Sequence, residues 1–198
     1  MELIMNKGSE FISKVIYPAS DESLQPNTIC DGDTSKINFF KTADLNKQYR
    51  LQLTAMHDAR LDNVTIAVVP DAVWTKGRQV SESDAGNMLI LFKESYFRTH
   101  IYPDKCAWMT HELAHCQYRL NCKTEKFYQK KLKTYAYTDL QSNHPYPNNL
   151  VEQYAFAKQF QFLQKQGIHR VEIHGFLKVF YSDEDFIFFD RLLDEIFE

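Results

Sequence analysis

Residues Trp108 to Leu120 read WMTHELAHCQYRL, which puts His111, Glu112 and His115 in one short apolar run. The run belongs to a longer pattern in which Cys106, Met109, Leu113, Cys116 and Leu120 recur at spacings of three and four. That period predicts an amphipathic helix, about 25 Å long at 1.5 Å per residue. Pro103 and Asp104 suit its start, because proline is tolerated in the first turn and an acidic side chain there favours the helix dipole. Asn121 suits a left-handed stop.

Histidines four apart on a helix lie one turn above each other, so His111 and His115 can direct both imidazoles at one point about 2.0 to 2.1 Å from each nitrogen, the distance zinc requires. Glu112 projects about 100° round the helix from His111, beside such a metal rather than on it. There it can take a proton from a water whose pKa zinc lowers to about 7. Three protein ligands leave the fourth position open for that water, so a third ligand is required. The plainer alternative is a helix that happens to carry two surface histidines and a glutamate. Small Ala114 beside the histidines and the apolar residues opposite favour the metal. Cys116 points about 100° away from His115 and reads as a buried thiol.

Outward from this helix, NVTIAVVP, Asn63 to Pro70, is rich in β-branched residues and stops at a proline, as a strand should. NMLILFKESYF, Asn87 to Phe97, predicts a second strand whose charged far end suits a sheet edge. VWTKGRQVSESDAG between them reads as a polar connection. Thr42 can cap a helix running towards Leu61, with Leu45, Tyr49, Leu53 and Met56 on one face, although the alternation there also suits a strand. Residues 1 to 40 read as an irregular segment with a short helix near Glu10 to Tyr17; the DGD at Asp31 to Asp33 lacks the rest of a calcium loop. After the turn-rich QSNHPYPNN, a helix capped by Asn149 and closed by Gly167 is expected. Residues 182 to 198 predict an acidic amphipathic helix with Phe186, Phe189, Leu193 and Phe197 on one side.

The whole sets limits on function. A chain of 198 residues with 44% hydrophobic content can bury one substantial core, so 1 to 198 reads as a single domain. No run of 18 uncharged apolar residues occurs and the N-terminus lacks a signal-peptide pattern, which predicts no membrane partner and a cytoplasmic protein. Cys30, Cys106, Cys116 and Cys122 make no CxxC pair and read as reduced thiols. A formal net charge of -3 offers no global basic field, so nucleic acid is not expected as a partner. The basic run from Arg119 to Lys133 reads as a solvated face.

HELAH resembles the active-site helix of the zincin metallopeptidases, and the preceding strands resemble the N-terminal half of their fold. The resemblance covers roughly Thr42 to Gln166. It implies an α+β, zincin-like domain: a small antiparallel or mixed sheet, an edge strand beside the HExxH helix, and a mostly helical C-terminal half. The residues after His115 are CQYRLN, so the branch with a third histidine is not matched. The branch similar to this chain is the gluzincins, with a glutamate on a later helix as third ligand. Glu152, with 36 residues between it and His115, matches that position; Asp139, His144 and Glu125 are the alternatives. Glu152 also stands where it would complete a cap with Asn149. Many members carry an acidic residue four positions later that orients the first histidine, where this chain has Phe156. The oxyanion donor stays open among Tyr146, His144, His169, His174 and Tyr181.

The resemblance thus implies one zinc ion on His111, His115 and Glu152, Glu112 as base, and a peptide or protein substrate aligned by the Asn87 to Phe97 strand. Two alternatives remain: a zincin-like module that binds or regulates without turnover, and a zinc hydrolase acting on non-peptide substrates.

Overall fold

The computed structural model describes residues 36–42, 58–74, 80–99, 104–124, 126–128, 147 and 150–198. Among the described residues the fold is α+β: a four-stranded mixed sheet followed by a mostly helical C-terminal half. The strands are β1 (Asn38–Lys41), β2 (Thr65–Val69), β3 (Ser81–Asp84) and β4 (Leu89–Lys93), in the spatial order β1-β2-β4-β3. β2 and β4 are parallel, with Ile66 opposite Ile90 and Val68 opposite Phe92, while β1 and β3 run antiparallel to their neighbours. Both central strands are apolar on both faces because both faces are covered. Ile66, Ile90 and Phe92 enter the main core; Ala67, Val69, Leu89 and Leu91 join Ile37, Val73 and Trp74 in a second cluster.

The expected strand over Asn87 to Phe97 is therefore shorter, and it is not an edge. It pairs on both sides and passes at Glu94 into helix α1 (Glu94–Thr99). Asp71 Oδ1 accepts from the Ser95 N–H at 2.8 Å, satisfying a donor of the first helical turn, and Arg98 Nε bonds Glu94 Oε1 at 2.7 Å one turn apart. The edges are β1 and β3, and β3 falls in the stretch that the sequence presents as a polar connection; polar side chains are what an edge strand tolerates. A turn held by Asp84, whose carboxylate accepts from the Asn87 backbone and side chain, joins β3 to β4.

The Thr42 N–H and hydroxyl both donate to Val64 O, tying the end of β1 to the approach to β2. Residues 43–57 of the expected helix lie outside the described residues, and its last part, Ala59–Asn63, is a 3-10 turn capped by Asp58. Most of the segment 1 to 40 also lies outside, including Glu10 to Tyr17, Cys30 and Asp31 to Asp33, but its end is strand rather than irregular.

Helix α2 (Asp104–Asn121) has the expected span and buries Cys106, Met109, Leu113 and Cys116. Asn121 is its last residue and not a left-handed cap: Met88 is the one non-glycine with positive φ among the described residues. Helix α3 (Leu150–Lys165) packs on α2 and buries Val151, Ala155, Phe156, Phe160, Phe162 and Leu163. Gly167, at φ 79°, ends it as predicted, and the Ile168 N–H reaches back to Leu163 O at 3.1 Å. Asn149 lies outside the described residues. Helix α4 (Arg170–Leu177), which periodicity did not reveal, and helix α5 (Phe186–Phe197) complete the chain. The tail helix buries Phe186, Phe188, Phe189, Leu192 and Leu193 in the main core. No described helix is long and apolar enough to cross a membrane.

Candidate metal centre

Helix α2 supplies His111 and His115 from successive turns, with ring centroids 4.8 Å apart and the two Nε2 atoms 3.1 Å apart. The first turn of α3 supplies Glu152, whose Oε2 lies 3.3 Å from His111 Nε2 and whose Oε1 lies 3.5 Å from His115 Nε2. Ligand atoms at the corners of a tetrahedron with 2.0 to 2.1 Å bonds sit about 3.3 Å from one another. The three side chains lie close enough together to share one metal ion, with each histidine nitrogen meeting a different Glu152 oxygen. Asp139, His144 and Glu125 lie outside the described residues, as does Tyr146.

The electrostatics favour positive charge at this point. Burial alone would push the His115 imidazole towards neutrality, but Glu152, then Glu112 and Glu82, hold its pKa up at about 9. Burial likewise disfavours the Glu152 carboxylate, yet His115 and His111 keep it well below the usual carboxylate range. A divalent cation would balance the same carboxylates in place of protons.

Glu112 is buried beside the group without joining it. The Ser81 hydroxyl of β3 donates to Glu112 Oε1 at 2.6 Å, so the edge strand fixes the carboxylate from across the sheet–helix boundary. The ring of His111 is held on several sides. Its Nδ1–H donates to Gln159 Oε1 at 3.0 Å, Phe156 packs against it with centroids 4.4 Å apart, and Trp108 approaches edge-on at 5.6 Å. With the proton on Nδ1, the Nε2 lone pair faces His115 and Glu152.

Ser81 and Gln159 were not singled out from the sequence. The one available signal for Gln159 was an amide seven residues after Glu152, on the same stripe of a helix otherwise apolar there. Of the remaining donor candidates, His169 starts α4, its N–H bonded to Glu172 Oε2 at 2.9 Å, and His174 faces Asp190 at 3.5 Å. Neither belongs to the group. Tyr181 comes nearer, with its ring against Phe156. Cys116 is a buried thiol pushed up to about 12, first by desolvation and then by Glu112 and Asp84, which makes it inert.

A scan against protein-family models, a search of curated proteins and a search of solved structures each returned no match for this chain.

Proposed function

We propose that the protein is a zinc-dependent hydrolase of the gluzincin kind, acting on peptide bonds. The observation that carries this reading is the close approach of His111 Nε2, His115 Nε2 and Glu152, with a fourth side chain, the buried Glu112 carboxylate, next to them and outside the ligand set. Zinc held there supplies Lewis acidity, which polarises a carbonyl and brings the pKa of water to about 7.

The chain's own groups then divide the remaining work. Glu112 takes the proton of the attacking water and returns it to the leaving amine nitrogen. Ser81, by holding Oε1, leaves Oε2 as the atom that carries that proton. The outer edge of β3, which bears no further strand among the described residues, offers backbone donors and acceptors to an extended peptide. This moves the substrate-aligning role from the interior strand β4 to β3.

Zinc content per chain is the first test. About one zinc in the wild type and a large loss in Glu152→Ala are expected. Glu112→Gln should keep the zinc and lose hydrolysis by about 10²- to 10⁴-fold. Full activity in that variant would remove Glu112 from the reaction.

Burial of His111, Glu112 and His115 favours a second reading, in which the domain holds zinc and binds a partner without turnover. Phe156 gives that reading no further support, because Gln159 makes the hydrogen bond to His111 that an acid there was expected to make. A broad peptide library assayed beside simple esters and amides separates the outcomes: peptide cleavage, cleavage of other carbonyl substrates, or zinc without any cleavage.

A further inference from the structure

Gln159 is completely buried, and among the described residues only half of its amide is used. Oε1 accepts from His111 Nδ1, whereas Nε2 finds no acceptor among the described residues. Leaving a buried donor dry is unfavourable, and a leucine would fill a similar volume without that cost. Packing therefore does not account for a glutamine at this position. The bond to His111 does.

We propose that Gln159 is the positioning residue of the metal centre: a neutral amide that locks His111 with its proton on Nδ1 and its Nε2 lone pair turned to the ion. This rests on the metal-centre reading above. On α3, residues 152, 156 and 159 fall within about 40° of one line at 100° per residue. Along that line Glu152 meets His111 at Nε2, Phe156 packs on the ring, and Gln159 takes Nδ1. One helix stripe thus meets the imidazole at both nitrogens and on its ring.

The neutrality of the amide has a consequence. A carboxylate on Nδ1 would raise the basicity of the histidine and hold the metal harder. With an amide there, the two histidines and Glu152 carry a single negative charge against a divalent ion. The metal keeps more of its positive charge and is released more readily.

The test is zinc affinity by competition with a chromophoric chelator, using the full chain as wild type, Gln159→Leu, Gln159→Glu and the ligand control His115→Ala. Gln159→Leu should bind zinc about 10- to 100-fold more weakly, while Gln159→Glu should match or exceed the wild type. A packing role alone would not move the affinity, because leucine fills a similar volume, and rescue by Gln159→Glu would then have nothing to restore.

If His115→Ala abolishes binding and Gln159→Leu stays within twofold of wild type, the positioning role is wrong and the metal centre stands. If the wild type itself takes up no zinc, both fall together. Should Gln159→Leu not fold, Gln159→Asn retracts the amide by one methylene and serves the same comparison, with the same 10- to 100-fold weakening expected and the same twofold limit overturning the role.

Discussion

Ser81 and Glu112 are 31 positions apart, yet a 2.6 Å hydrogen bond joins them in a buried space. A carboxylate enclosed to that degree depends on its donors, since the water that would otherwise solvate it is excluded. Ser81→Ala should therefore cost about 1.5 to 3 kcal/mol of stability, the range for a hydrogen bond to a charged group. Ser81→Thr, which keeps the hydroxyl, should recover most of it; denaturant titration of both variants measures the difference, and an unchanged midpoint in Ser81→Ala would mean that the bond is not formed. At this scale legibility was uneven. His111, Glu112 and His115 could be read because one helix period sets their relation. Glu152 entered through the resemblance of HELAH to gluzincins. Gln159 and Ser81 could not be read, because a hydrogen bond across 48 or 31 positions leaves no mark in local spacing.

Between elements, a polar chain ties the end of α2 to its neighbours. Tyr154 of α3 donates to Gln117 Oε1 at 2.6 Å, and Gln117 Nε2 reaches Asp58 Oδ2 at 3.5 Å. Asp58 also accepts from Arg60 Nη2 at 2.6 Å, and the same nitrogen bonds Asn121 Oδ1 at 2.9 Å, at the helix end. Arg60 holds the Asp58 carboxyl down at about 2, against the upward pull of partial burial and with help from Gln117. Since the folded value lies below the unfolded one, near 3.9, the stabilisation is complete above that pH and disappears as pH falls through about 2. Comparing denaturation midpoints of the wild type and Asp58→Asn between pH 5 and pH 2 should show the wild-type advantage shrinking as acid is added. A gap that stays constant would assign the effect to packing. The elements with clear periodicity, α2, α3 and β2, lie where the sequence predicts them. β3, β1 and α4 were missed because each is short or polar, and the identity of a sheet edge depends on which strands pair.

For the molecule as a whole, the acidic tail decides more than its composition suggests. Phe189 of α5 packs on Phe156 at 4.9 Å between centroids, and Phe156 in turn packs on His111 at 4.4 Å. The tail therefore belongs to the core that backs the candidate metal site. Phe189→Ala should lower stability by about 3 to 5 kcal/mol, read by chemical denaturation, and zinc should recover part of that loss by binding only the folded chain. Deleting residues 182 to 198 should yield an aggregating protein with no gain of hydrolysis, because Phe156 and Phe160 would lose the cover of α5. By itself the sequence determined helix α2, two of the strands at least in part, the glycine stop after α3 and the pair of histidines with its neighbouring glutamate. Each of these depends on contacts within a few residues, where the period of a helix or strand fixes which side chains meet. Only the tertiary structure decided which strand forms the edge beside α2, that Glu152 comes within 3.5 Å of both histidines, and which side chains hold Glu112 and His111. Those relations arise when separate elements pack, and the distances between them follow from the shape of the whole core.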